Sequence, residues 1–203
     1  MTMSTDTLKK ISKSPVTGVE YEIPELKDDK AGIDAFVAMH PAKKVVVVQG
    51  LGFVGSVMGL VVANALTEEY AVIGIDLPTP ASYWKIRSIN EGIFPVIASD
   101  PKIEEYYQNA LKKKNYYATY DSYAYSKADV VVVDINLDVQ KKSAANKDLE
   151  GYQVDLTPFK KAIEAIGSCC KEDVLVLVET TVPPGTSLKV VKPILQEALK
   201  NRG

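Results

Sequence analysis

An α/β fold with a doubly wound parallel sheet and an N-terminal appendage is what the 203-residue sequence predicts. Three observations predict it. Continuous β-branched runs, Val45-Val46-Val47-Val48 and Val130-Val131-Val132-Val133, suit strands covered on both faces. Such runs alternate with segments of helical period, as parallel strands joined by right-handed crossovers require. A glycine-rich turn, Gly50 to Gly55, joins the first such strand to the first such helix.

The elements follow in order. Met1 to Ala42 is polar, with a turn at Ser14-Pro15-Val16-Thr17-Gly18 and a short helix expected over Ile33 to His40; we read residues 1–42 as an extension and 43–203 as the folded domain. A strand begins at Lys43-Lys44-Val45, and the helical pattern of small and apolar residues spans Ser56 to Tyr70. Ala71 to Asp76 is a second buried strand, completing a βαβ unit. Helices are expected over Ser82 to Ile89 and Pro101 to Lys114, then strands at Tyr116 to Thr119 and Asp129 to Ile135. Thr157-Pro158 opens a helix to about Ile166, with threonine as N-cap and proline at the first helical position. Val174 to Val178 is a further buried strand. A final helix should follow the turn at Val182 to Thr186, from Ser187 to Lys200.

Composition removes several functions. With 24 basic and 26 acidic side chains the formal charge is −2, and no basic footprint for a nucleic-acid backbone exists. The Lys112-Lys113-Lys114 run reads as a solvated helix end. The apolar runs fall far short of the ~20 residues that cross a bilayer. Met1 to Ser14 lacks an apolar core for a secretory signal, so a cytoplasmic protein is expected. One histidine and two adjacent cysteines, Cys169 and Cys170, supply too few soft ligands for a metal cluster, and no metal is expected. His40, standing before Pro41, has no evident substrate to serve as a base. Tyr106, Tyr107, Tyr116, Tyr117, Tyr120, Tyr123 and Tyr125 read as packing around the third strand.

Gly50-Leu51-Gly52-Phe53-Val54-Gly55 is a G-x-G-x-x-G between a strand and a helix. The first glycine makes the tight turn, the second admits a pyrophosphate to the backbone, and the third lets helix and strand pack closely. The N–H groups and positive dipole end of the helix starting near Phe53 and Val54 suit phosphates. Asp76 ends the second strand roughly 20 residues further on, where an acid accepts hydrogen bonds from the adenosine ribose. Its charge would repel a 2′-phosphate, so NAD is favoured over NADP. This is the fingerprint of a Rossmann NAD-binding fold.

Ile89-Asn90-Glu91-Gly92-Ile93-Phe94-Pro95 and Thr180-Thr181-Val182-Pro183-Pro184-Gly185-Thr186 extend the pattern. Together with the glycine turn and Asp76 they resemble the N-x-G-x-x-P and S-T-V-P-x-G-T segments of the UDP-glucose/GDP-mannose dehydrogenase family, whose members oxidise the C6 hydroxyl of a nucleotide sugar to a carboxylate with two NAD. The resemblance covers Lys43 to Gly203. It implies that Lys85 lies near the adenosine ribose, that Ile135 and Asn136 contact NAD, that Thr180 contacts it near the nicotinamide half, and that Thr181 holds the water used in hydrolysis.

The resemblance also implies a nucleotide-sugar substrate and a homodimer for the full-length protein. Asn136-Leu137-Asp138-Val139 departs from the family's N-T-P-T, and Leu77-Pro78-Thr79-Pro80 lengthens the loop after Asp76. The family's nucleophilic cysteine belongs to a later F-G-G-x-C segment, which Cys169 and Cys170 do not match. The chain is therefore expected to be the N-terminal NAD-binding part of a longer dehydrogenase, inactive by itself. The alternatives are a stand-alone module that senses NAD or docks a partner, and another Rossmann dehydrogenase.

Overall fold

The computed structural model describes residues 10–25, 28–137, 139–140 and 153–202. Its centre is a five-stranded sheet containing β3 (Lys44–Gln49), β4 (Tyr70–Ile75), β5 (Tyr116–Thr119), β6 (Val130–Val133) and β9 (Leu175–Val178). The spatial order is β5-β4-β3-β6-β9, and every pairing is parallel; β7 (Val139–Gln140) and β8 (Gln153–Val154) pair antiparallel apart from it. The chain builds outward from β3 to β4 and β5 on one side, then returns to place β6 on the other. The strand order therefore reverses between β3 and β6, and a crevice opens there at the strands' C-terminal ends.

Because successive side chains of a strand point to opposite faces, the uninterrupted valine runs feed two cores. Val45, Val47, Ile73, Val131 and Val133 face α1 (Lys30–Ala38) and α5 (Thr157–Cys169), meeting Ile33, Phe36, Phe159, Ile163 and Ile166. Val46, Val48, Val72 and Val132 face α2 (Phe53–Ala63) and α4 (Pro101–Lys113), meeting Leu60, Ala63, Tyr107 and Ala110. Each fully buried valine is worth about 1.5 kcal/mol or more, so a charge at Val47 or Val131 would unfold the centre.

The N-terminal segment is tied to this domain by specific contacts. Ser14 Oγ accepts the N–H groups of Val16 and Thr17, at 3.3 and 3.2 Å, closing the turn between β1 (Ile11–Lys13) and β2 (Glu20–Glu22). Buried Ser12 accepts the Trp84 N–H at 2.9 Å and donates to the Pro80 carbonyl at 2.8 Å, fixing this hairpin to the start of α3 (Tyr83–Asn90). Asp29 Oδ2, just ahead of α1, accepts Tyr117 and Thr119 hydroxyls at 2.8 and 2.6 Å. His40 Nε2 lies 2.8 Å from the Lys114 carbonyl, and its ring meets Phe36 edge-on. Residues 1–9 lie outside the described residues.

Four expectations require correction. Thr157 is not the N-cap of α5: Leu156 occupies that position, and Asp155 Oδ1 caps the helix by accepting the Thr157 N–H at 2.8 Å. This helix also continues past Ile166 to Cys169, because Gly167 is a packing residue. A Cβ there would stand 2.7 Å from Cβ of Ala198 in α6 (Lys192–Lys200). Finally, the terminal helix is not uniform. Its first segment, Ser187–Val191, has the wide π-type turn before the α-helix begins, as expected ahead of Pro193, which lacks an N–H and crowds the carbonyl four residues earlier.

α2 likewise stops at Ala63 rather than Tyr70. Asn64 turns its amide back to the carbonyls of Leu60 and Tyr106, both at 2.9 Å. No helix among the described residues is long and apolar enough to cross a membrane.

Candidate dinucleotide-binding cleft

The crevice at the strand-order reversal is a cleft of about 1200 Å³, bordered by the C-terminal ends of β3, β4, β6 and β9 and by the first turn of α2. Gly50, Gly52, Phe53, Val54, Asp76, Lys85, Ile135, Asn136, Thr180 and Thr181 all line it. The three glycines of the turn are there for different reasons. Gly50 has φ +100°, and a Cβ on it would lie 1.9 Å from the Asp134 carbonyl oxygen; a Cβ on Gly55 would lie 2.0 Å from the Gly50 oxygen. Both are demands of the fold. Around Gly52 there is nothing within 4 Å of the position a Cβ would take.

Gly52 is the N-cap of α2 and carries no capping side chain. The first-turn N–H groups of Phe53 and Val54 therefore point out of the helix without an intrahelical acceptor. Their side chains are 64 % and 52 % exposed, forming an apolar lip. An open glycine, outward N–H groups and a positive helix end are a combination that favours an anion.

Asp76 closes one end of the cleft. Its Oδ2 accepts the Leu51 N–H at 3.2 Å and Lys85 Nζ at 3.0 Å, while Oδ1 accepts the Leu77 N–H at 2.7 Å. The Lys85 ion pair is mostly shielded from water. The longer Leu77–Pro80 loop does not disturb it: Ser82 Oγ donates to the Leu77 carbonyl at 2.7 Å and meets Thr79 Oγ1 at 2.6 Å, folding the loop back onto α3.

At the other end, Thr180 is buried two residues beyond β9. Its hydroxyl accepts the Ile135 N–H at 2.8 Å and donates to the Val133 carbonyl at 3.2 Å, latching the ends of β6 and β9 together. Thr181 and Asn136 are exposed at the rim. The alternation that buries one threonine thus presents the next to the cleft. Cys170 is buried, and its thiol is pushed up by burial; Cys169 is half-buried beside it. Neither borders the cleft.

Sequence reasoning missed four features of this site. Gln49 is buried at the end of β3 and accepts the hydroxyl of Tyr125, whose ionisation is strongly opposed by burial. Leu77 lines the Asp76 end, and Lys161 of α5 lines the far wall. The fourth is Asp134. It stands directly after β6 as Asp76 stands directly after β4, and that shared strand-end position was the available signal. Its carboxyl lies beside Gly55 in the first turn of α2, and its pKa is raised, chiefly by burial and further by the charge of Glu179.

A parallel doubly wound sheet, a cleft at the reversal point, an open glycine at a helix start and an acid at the neighbouring strand end define a dinucleotide-binding Rossmann domain. Residues 43–203 match the UDP-glucose/GDP-mannose dehydrogenase family, NAD binding domain. The chain belongs to that family, and its cofactor is NAD.

Among curated relatives, it is 28% identical over 153 residues to Protein CapL of Staphylococcus aureus, covering 75% of this chain and 30% of that protein. It is also 28% identical over 153 residues to the UDP-N-acetyl-D-glucosamine 6-dehydrogenase of Pseudomonas aeruginosa, covering 75% and 31%. The NDP-N-acetyl-D-galactosaminuronic acid dehydrogenase structure from Methanosarcina mazei aligns at TM-score 0.67 and 26% identity, over 82% of this chain and 33% of that one. The GDP-mannose dehydrogenase of Pseudomonas aeruginosa, solved as a ternary complex, aligns at 0.62 and 26%, over 75% and 32%. The chain thus spans about a third of the length of the relatives it matches.

Proposed function

We propose that this chain holds NAD for a nucleotide-sugar 6-dehydrogenase, which oxidises the C6 hydroxyl of a UDP- or GDP-sugar to a uronic acid with two NAD. The observation that carries the cofactor site is Gly52. Neither backbone conformation nor packing asks for a glycine there, and the space a side chain would fill opens onto the cleft. In this reading Gly50 and Gly55 shape the turn, and the N–H groups of Phe53 and Val54 hold the pyrophosphate beside Gly52. Asp76 accepts the adenosine ribose hydroxyls, held in place by Lys85.

Thr180, by fixing the Ile135 peptide, sets the wall on which the nicotinamide end rests, with Asn136 at its rim. Thr181 positions the water of the hydrolytic step. When bound, NAD supplies the hydride acceptor; this chain's residues bind it, orient it and keep water from one face. The thiol that would carry the sugar as a covalent intermediate belongs to another part of the enzyme. Substrate class and oxidation to a uronic acid, as used in polysaccharide building blocks, are supported by family membership and by the relatives' names. Cytoplasmic operation and a homodimeric complete enzyme complete the reading.

The test is Gly52→Val, compared with the unaltered chain by thermal unfolding with and without NAD. NAD at about 100 times its dissociation constant adds roughly 2.7 kcal/mol to the unaltered chain, on the order of 5–10 °C in midpoint for this size. The variant should keep its ligand-free midpoint and lose the shift. A retained shift would remove the pyrophosphate from this place. Purified alone, the chain should give no NADH signal with UDP- or GDP-sugars.

A further inference from the structure

We propose that Asp134 sets the cofactor affinity of the cleft: its carboxylate occupies the N-terminal end of α2 in competition with the pyrophosphate, and the dinucleotide binds together with a proton on Asp134. This rests on the cleft being the NAD site. Three structural facts carry it. The Asp134 carboxyl stands beside Gly55 in the first turn of α2, so an anionic side chain is seated at the end of the helix that favours anions. The seat is tight: Oδ2 lies 3.0 Å from the position a Cβ on Gly55 would take, and the Asp134 peptide is packed against Gly50. Asp134 also lines the same cleft as Gly52, Phe53 and Val54.

The surroundings leave its charge uncompensated. The glycine turn and the first turn of α2 offer only N–H dipoles. The end of β9 presents Glu179, a like charge that raises the Asp134 pKa beyond the effect of burial. Gln49 at the end of β3 is neutral and engaged by Tyr125. Asp76 at the end of β4 is paired with Lys85. α5 brings Lys161 to the far wall and is preceded by Asp155. Among the described residues Asp134 forms no ion pair.

A pyrophosphate entering beside it adds negative charge, which favours the carboxylic acid over the carboxylate. On binding, one proton passes from solvent buffer to an oxygen of the Asp134 carboxylate, with no other bond changed. The acid then becomes a donor able to face a phosphate oxygen. Linkage fixes the sign. Affinity is highest below the free-state pKa, falls as pH rises through the window between free and bound values, and levels off above it. Each unit of displacement is worth tenfold in affinity.

Calorimetric titration with NAD from pH 5 to 8, in pairs of buffers with different ionisation heats, reads this directly. The unaltered chain should take up protons on binding and lose on the order of tenfold in affinity towards pH 8. Asp134→Asn should bind without that uptake and hold the acid-side affinity at pH 8. Asp76→Asn, which alters an acid already paired with lysine, should keep the uptake while binding more weakly. Zero uptake by the unaltered chain, measured without any variant, overturns the proposal, as does an Asp134→Asn chain with unchanged pH dependence. Absence of NAD binding by the unaltered chain at every pH would instead remove the cofactor reading itself.

Discussion

Asp76 and Asp134 occupy equivalent places, each the first residue beyond a parallel strand at the mouth of the cleft, yet their surroundings are opposite. Asp76 receives two backbone N–H groups and a lysine. Asp134 has only the first turn of α2 beside its carboxyl, is partly withdrawn from water and faces Glu179. A strand-end acid is therefore not one kind of site. On the β4 side the charge is provided for before any ligand arrives; on the β6 side it is carried at a cost, which a nearby anion would increase.

The largest effect expected is at the point where the two sides meet. Gly50→Ala forces a side chain into a positive-φ position and within 1.9 Å of the Asp134 carbonyl oxygen. Strain and overpacking together should cost about 3 kcal/mol or more, visible as a lower urea midpoint. A midpoint unchanged from the native chain would mean that the β3–β6 junction is looser than its geometry states.

Breaking the compensated side is the next largest change. Asp76→Ala should weaken NAD by roughly 1.5–3 kcal/mol, the worth of hydrogen bonds to a charged group, and should abolish the preference over NADP. Competitive titration with the two dinucleotides checks this. A variant that still prefers NAD would locate the discrimination elsewhere, with Leu77 as the next residue to alter.

On the β6 side, Thr180→Val keeps shape but removes the hydroxyl that joins the Ile135 N–H to the Val133 carbonyl. Leaving these groups unsatisfied should cost about 1–3 kcal/mol. Hydrogen exchange should show the Ile135 amide losing protection while β3 and β4 keep theirs. Uniform loss across the sheet would argue against a local latch.

The smallest effect distinguishes the two acids by pH. The raised pKa of Asp134 means that its contribution to stability is fully present below its unfolded pKa and is lost as pH rises through its folded value. Asp134→Asn should therefore be more stable than the native chain at pH 7, and the difference should shrink as the pH falls towards 4. Urea unfolding across that range measures it. An advantage that grows on acidification would reverse the sign and contradict the burial argument.

Much of this was legible in the residues. The valine runs announced strands covered on both faces, and Gly50, Gly52, Gly55 and Asp76 stood at the spacing of a dinucleotide turn. Helix ends were less legible. Leu156 took the N-cap position expected of Thr157, with Asp155 accepting the Thr157 N–H, a competition between neighbours that spacing does not resolve. Gly167, just past the end expected for that helix at Ile166, is a contact with α6. Asp134 carried the same strand-end signal as Asp76, but it was hidden at the end of a run read only for its apolar character.

The sequence by itself determined the fold class, the position of the glycine turn and the chemistry of the neighbouring acid, because each is written in contacts between residues close along the chain or in a pattern of period two or 3.6. The tertiary structure decided which of the three glycines faces open space, which acid is paired, and that Thr180 latches while Thr181 is presented. Those properties depend on which groups from β4, β6 and β9 arrive at one point, and the parallel crossovers bring them together from dozens of residues apart. Charge compensation and burial are set by such neighbours in space, and the linear order of residues does not contain them.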